Sequence, residues 1–316
     1  MRLIFFGTPK FAVPALERLL AGPHAVAAVV SQPDRPSGRA RKIVPTPVKE
    51  WALAAGLPLL QPEQPGDPAF LQMLRTSRPA CAIIVAYGRI LPPALLQIFP
   101  RGAFNLHASL LPKYRGAAPI QWSLIRGETE TGVTLFQLDA ELDHGPVLLQ
   151  RRCPVEPEDT GVTLGRKLSQ LGAEVILEGL SLLEKEEPRL APQDHAAATQ
   201  APRLTKQDGV LDWSREAAAL HNLVRGVQPW PGAVTWLGGK RLRILATRTE
   251  PDRQEPSAKP GTVVVAGPAD GLRIQTGKGQ LQILQLQPEG GTPLDAAAFL
   301  RGHPVPPGTR LAPQPP

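Results

Sequence analysis

In the stretch Phe104-Asn105-Leu106-His107-Ala108-Ser109, a carboxamide and an imidazole stand two residues apart. On an extended strand, side chains at that spacing leave the same face. Together they can donate hydrogen bonds to an oxygen that gains negative charge during acyl transfer, and the imidazole can carry a proton near neutral pH. A carboxylate is the natural third member. Asp143 fits in Leu142-Asp143-His144-Gly145-Pro146, a Gly/Pro-containing loop between two β-like segments. Asp139 and Glu141 compete with it, and His144 competes with His107. Spacing alone leaves these alternatives open.

Other chemistries lack their signatures. The first apolar run is followed by a lone glycine in place of GxGxxG, and GxxxxGK[ST], GxSxG and HExxH are missing. A dinucleotide fingerprint, a phosphate loop, a nucleophile elbow and a zincin helix are therefore not expected. The two cysteines, Cys81 and Cys153, have no CxxC spacing, which fits a reducing compartment better than a disulfide framework.

The elements that must carry the candidate residues alternate. Strand-like runs occupy 3–6, 25–30, 80–85, 103–106 and 132–138, with helical patterns at 11–20, 49–55, 69–76, 93–98 and 163–187. That alternation predicts an α/β domain, a Rossmann-like, mostly parallel sheet covered on both faces. Residues 187–203 are poor in large apolar side chains and rich in proline and alanine, as in a linker. Beyond them, short β-like runs at 233–236, 241–247, 261–265, 272–275 and 280–286, separated by glycine-rich turns, predict a small OB-like β-barrel.

The chain has 316 residues, a formal net charge of +7 and 42% hydrophobic residues, enough for two cored domains. No apolar run approaches the roughly 18 residues of a membrane span, so no membrane partner is expected. Part of the charge is concentrated in residues 31–47, where Arg35, Arg39, Arg41 and Lys42 lie among glycine and prolines. From Leu190 onward there are 14 basic and 10 acidic residues. Such a balance permits an anionic partner, nucleic acid included.

The motifs NLHASLLPKYRGAAPIQW and TGVTLFQLDAELDHGPVL resemble the folate-dependent formyltransferases. The similarity extends through FFGTPKFAVPAL, SQPDRPSGRARKIVPTPVK, VAYGRILP, VQPWPGA and PGTRL, in order along nearly the whole chain. The resemblance implies a catalytic formyltransferase domain over 1–188, a linker over 189–203 and an OB-like, tRNA-binding domain over 204–316. It assigns catalysis to Asn105, His107 and Asp143, and the lining of the folate site to Ser109, Leu110, Leu111 and Pro112. The formyl donor it implies is 10-formyltetrahydrofolate, with no metal. The implied acceptor is the α-amine of initiator methionyl-tRNA, contacted by Arg39, Arg41 and Lys42. A monomer acting in the cytoplasm is expected. His144 stands where relatives often carry a small or hydroxyl residue. Rival readings are a sugar-nucleotide amine as acceptor, water as acceptor, or an RNA-binding protein with a silent first domain.

Overall fold

Leu3, Ile4, Phe5 and Phe6 are apolar without alternation, and all four are fully buried, as in a strand covered on both faces. They belong to the first strand of a computed structural model that describes residues 1–37, 42–185, 188–250 and 258–312. The chain divides into two compact units. The first comprises Met1–Pro119, Glu130–Pro154 and Gly165–Pro202; the second comprises Ile120–Thr129, Val155–Leu164 and Arg203–Pro316. The chain thus enters the second unit twice before Arg203, and residues 188–202 belong to the first.

The strands of the first unit are β1 (Arg2–Gly7), β2 (Ala25–Val30), β3 (Arg35–Ser37), β4 (Lys42–Val44), β5 (Leu59–Leu60), β6 (Cys81–Val85), β7 (Ala103–His107), β8 (Glu130–Gln137) and β9 (Val147–Pro154). Seven of them form one sheet in the order β5-β2-β1-β6-β7-β8-β9. The pairs from β5 to β7 are parallel, while β8 and β9 run antiparallel. This is the Rossmann-like sheet expected from the alternation, with an antiparallel edge. β3 and β4 make a separate two-stranded ribbon on either side of residues 38–41.

Helix starts follow local chemistry. Thr46 accepts a hydrogen bond from the Lys49 N–H at the start of Pro47–Ala54, and Asp67 does the same for Phe70 at Pro68–Thr76. The helix expected to reach 187 ends at Leu183. Pro188 cannot donate into a further turn, and residues 186 and 187 lie outside those described. Both cysteines are free and buried, and burial pushes the Cys81 thiol up to about 12.

One packing feature matters for the site. Gly172 and Gly179 of the helix Gly161–Leu183 lie two turns apart, against Leu106 of β7 and Leu135 of β8. A Cβ at either glycine would sit 2.3 Å from the facing leucine Cδ2, so a side chain there would force that leucine to shift. The helix covers the face of β7 that carries Leu106 and, two residues away, Phe104. Asn105 and His107 project from the opposite face.

In the second unit, β10 (Ala233–Leu237), β11 (Lys240–Glu250), β12 (Val263–Gly267), β13 (Gly271–Gln275), β14 (Gln280–Pro288) and β16 (Leu311–Ala312) form an antiparallel sheet. The order is β12-β13-β14-β11-β10-β16, with β15 (Leu294–Asp295) paired to β14. Leu311 pairs with Leu237, while its N–H bonds to the Gly261 carbonyl and Thr309 O accepts from Val263. One terminal segment therefore spans both edges, the barrel-like closure expected of an OB-like domain. The strand expected at 261–265 runs instead over 263–267, because Gly261 at φ 86° cannot extend it backwards. The helix Ala217–Gly226 packs on β11 and β14. No helix among the described residues is long and apolar enough to cross a membrane.

Phe104 is 1% exposed and is among the largest fully buried side chains. Phe104→Ala is expected to cost about 3–5 kcal/mol, seen as a lowered urea midpoint at an unchanged m-value.

Candidate active site

β7 ends at His107, and the backbone after it is held down residue by residue. The Ser109 hydroxyl donates to the Lys113 carbonyl at 2.6 Å, and the Ser109 carbonyl accepts from Thr134 Oγ1 at 2.6 Å. The Leu111 N–H returns to Thr134 Oγ1 at 3.1 Å, and Gln150 Nε2 donates to the Leu111 carbonyl at 2.7 Å. These bonds pin the segment Ser109 to Pro112 onto β8 and β9. Ser109 and Leu111 are buried, while Leu110 and Pro112 are half-buried. The polar groups of Ser109 therefore hold the loop.

The loop next passes through Tyr114 at φ 64° and Gly116 at φ 122°, and these turned residues aim two backbone groups inward. The Tyr114 carbonyl meets His107 Nε2 at 2.8 Å. The Gly116 N–H donates to Asp143 Oδ2 at 2.8 Å. That same carboxylate oxygen is 3.6 Å from His107 Nδ1. Asp143 is itself in the left-handed region at φ 51°. The outer edge of the loop is strapped by residues 199–201. Tyr114 N–H bonds to Thr199 Oγ1 at 2.9 Å, Arg115 N–H to the Thr199 carbonyl at 2.8 Å, and Ala201 N–H to the Arg115 carbonyl at 2.7 Å. A Cβ on Gly116 would stand 2.6 Å from the Ala201 carbonyl oxygen, so no other residue fits there.

The geometry fixes the imidazole's proton. A carbonyl only accepts, so Nε2 carries the hydrogen and the bond to Tyr114 occupies it. Nδ1, facing Asp143, is the nitrogen left to take up or release a proton. Both side chains are buried, at 6% exposure for His107 and 7% for Asp143, so water screens their interaction poorly. Asn105 is half-buried and its carboxamide makes no hydrogen bond to any described residue.

The structure gives each candidate a different set of partners. Asp139 accepts from His144 Nδ1 at 2.7 Å and from the Glu141 N–H at 2.9 Å. Glu141 is exposed, and among the described residues its carboxylate reaches His144, at 3.9 Å. His144 stacks on His195, ring centroids 3.9 Å apart and planes within 2°. His107 and Asp143 pair with each other, whereas His144 pairs with Asp139 and stacks on His195, whose Nδ1 lies 2.8 Å from Arg115 Nη2. The residues that the sequence reading did not single out are Tyr114, Arg115, Gly116 and Gln193. The first three lie in the quoted motif LLPKYRGAAP; Gln193 lies in the segment read as a linker and carried no signal. Gln193 Nε2 donates to the Asp143 carbonyl at 2.9 Å and to the Gly145 carbonyl at 2.7 Å.

Lys42 is exposed at the start of β4, whereas Arg39 and Arg41 lie outside the described residues. The foot of the ribbon is fixed at Asp34, which accepts from Lys49 Nζ at 2.6 Å and from Gln61 Nε2 at 2.9 Å. Those two bonds hold the Asp34 carboxyl below the usual carboxylate range. Among the described residues, no three His, Cys, Asp or Glu side chains are grouped to hold a metal ion.

Comparison with known proteins adds the family. Residues 1–180 match the family model described as formyl transferase, and residues 203–304 match that of the formyl transferase C-terminal domain. A protein from Desulfotalea psychrophila named methionyl-tRNA formyltransferase is 49% identical over 302 residues, covering 96% of this chain and 93% of that one. One of the same name from Trichlorobacter lovleyi is 44% identical, covering 99% and 97%. The crystal structure of HypX from Aquifex aeolicus in complex with tetrahydrofolic acid superposes with a TM-score of 0.63 at 19% identity, over 95% of this chain and 46% of that one, a likeness of fold. With both family models matched in order and the Asn105, His107 and Asp143 set assembled on one strand and one loop, this chain belongs to the formyl transferase family.

Proposed function

We propose that this chain transfers the formyl group of 10-formyltetrahydrofolate to the α-amine of initiator methionyl-tRNA. The observation that carries the acceptor is the near-full-length identity, 49% and 44%, to proteins bearing the name methionyl-tRNA formyltransferase. The chemistry is supported by the unbonded Asn105 carboxamide on the same strand face as the His107–Asp143 pair. In this reading the protein works as a monomer in the cytoplasm.

The folate supplies an already activated formyl carbon. The acceptor amine has an ordinary pKa of about 7.7–8.0, so near neutral pH much of it must lose a proton before it can attack. Asn105 Nδ2 donates to the formyl oxygen as negative charge builds there. A preorganised donor of this kind is worth about 10²–10³ in rate. As the amine nitrogen bonds to the formyl carbon, His107 takes its proton on Nδ1, the nitrogen not engaged by Tyr114, and Asp143 stabilises the resulting imidazolium. The bond from that carbon to folate N10 then breaks, and N10 leaves with the proton His107 returns. Neither group has to reorganise, since Tyr114 and Gly116 hold them before substrate arrives. Ser109, Leu110, Leu111 and Pro112 form the wall against which the folate lies.

The ribbon β3–β4 bears the acceptor choice. Arg35 and Lys42 are exposed on it, and Arg39 and Arg41 belong to the stretch between its strands. Four cations within eight residues suit a phosphate backbone, and a sugar-nucleotide acceptor would need no such arm. The second unit adds Lys240, Arg241 and Arg273 on its strands for stem contacts.

Two outcomes test this. Asn105→Ala should lower kcat for formyl transfer about 10²–10³-fold while both substrate KM values stay within about threefold, measured with charged initiator tRNA as acceptor. Near-normal turnover would remove the oxyanion donor. Arg39→Ala and Lys42→Ala should each raise the tRNA KM and leave the folate KM unchanged, and should flatten the rise of tRNA KM with added KCl. Equal transfer to an amino-sugar nucleotide would overturn the acceptor assignment.

A further inference from the structure

The Asp143 backbone is held by a side chain from a distant part of the chain. Gln193 is buried at 7% exposure, and its amide makes three hydrogen bonds. Nε2 donates to the carbonyls of Asp143 and Gly145, and Oε1 accepts from Arg115 Nη2 at 2.8 Å. The orientation of the amide is dictated by its partners. A guanidinium only donates and carbonyls only accept, so only one placement of nitrogen and oxygen satisfies all three.

Arg115 lies between the two residues that hold the reacting pair, since its neighbours are Tyr114 and Gly116. One buried amide thus bonds both the loop that carries Asp143 and the residue between the two groups that hold His107 and Asp143. We infer that Gln193 is a positioning residue for formyl transfer, setting the Asp143 carboxylate against His107 by fixing the Asp143 and Gly145 carbonyls. Left-handed backbone at a non-glycine residue is strained and persists only where the surroundings hold it. Without the two bonds from Gln193, Asp143 can relax away from φ 51°, and its carboxylate moves relative to Nδ1. A displacement of about 1 Å at a reacting pair costs roughly 10²-fold in rate.

This inference rests on Asp143 acting in the transfer, so its test carries Asp143 variants beside those of Gln193. Gln193→Met removes all three bonds at similar volume. Gln193→Glu keeps an acceptor for Arg115 and adds a negative charge to it, but turns a carboxylate oxygen toward two carbonyls. With 10-formyltetrahydrofolate and charged initiator tRNA, both variants should lose about 10–100-fold in kcat, with each KM within about twofold, expressed per folded molecule from a tetrahydrofolate titration. The double variant Gln193→Met, Asp143→Asn should turn over no more slowly than Asp143→Asn alone, because Gln193 acts through Asp143.

Three results would overturn the inference. Gln193→Met could keep normal kcat while Asp143→Asn is inactive. Gln193→Glu could be fully active, which would make neutralising Arg115 the residue's real work. The losses could multiply in the double variant, as for an independent effect on folding. An Asp143→Asn enzyme with normal kcat would instead sink the role of Asp143 itself, and the positioning of it along with that role. Should Gln193→Met fail to fold, Gln193→Glu and its double variant with Asp143→Asn decide the matter.

Discussion

The site depends on one short piece of backbone, the turn from Tyr114 to Gly116. Its carbonyl and its N–H face inward, one onto each member of the His107–Asp143 pair, and so hold the two side chains 3.6 Å apart. A backbone that presents an acceptor and a donor to the same spot must turn sharply. The chain does this with positive φ at 114 and 116, where most residues are strained. The hydrogen bonds to residues 199–201 supply the restraint, and the carbonyl of Ala201 leaves room for no Cβ at 116. The geometry of the pair is therefore a property of loop backbone fixed from outside, with the sheet providing only the anchor at His107.

Much of this was legible in the sequence, and the reasons differ from residue to residue. Runs such as 80–85 could be read because a strand buried on both faces is apolar throughout, and β6 is buried along its whole length. Asn105 and His107 could be paired because a strand has a period of two. Asp143 could not be chosen over Asp139 and Glu141, since all three sit in the same turn-rich loop. What separates them is whether Gly116 or His144 lies opposite, a contact between segments far apart in sequence. Gln193 was invisible for the same reason. Its surroundings have the composition of a linker, and nothing local shows that the amide is buried against three partners. The strand starting at Val263 shifted from its expected bound because Gly261 acts on backbone, which hydrophobic periodicity does not record.

In the proposed function, acceptor choice and bond-making fall on different physical features. The ribbon β3–β4 is exposed and charged, its strands only three residues long, and it is tied down at its foot by Lys49 and Gln61 through Asp34. An arm of that kind gains affinity from counterion release and needs little fixed geometry. The His107–Asp143 pair has the opposite requirement: it is buried, and a small displacement is expensive there. A sequence change in the ribbon can therefore alter which amine arrives without touching how the carbon is moved.

The same strand serves both stability and chemistry because alternation keeps the two on separate faces. Phe104 and Leu106 lie on the core side of β7, where Gly172 lets the helix come within contact of Leu106. Asn105 and His107 take the other side. Were the helix held further away by a larger residue at 172, the cavity would open under Leu106, and β7 would lose the packing that keeps its opposite face in register with β8. The Asn105 carboxamide is half-buried on the face of β7 opposite the helix. It stays aimed because its strand is clamped from behind, by β6 and β8 on either edge and by the glycine-faced helix below. The free donor at Asn105 is thus maintained by apolar packing on the far side of the sheet. Substitutions at 172 should for that reason disturb turnover as well as folding, although that glycine touches no reacting group.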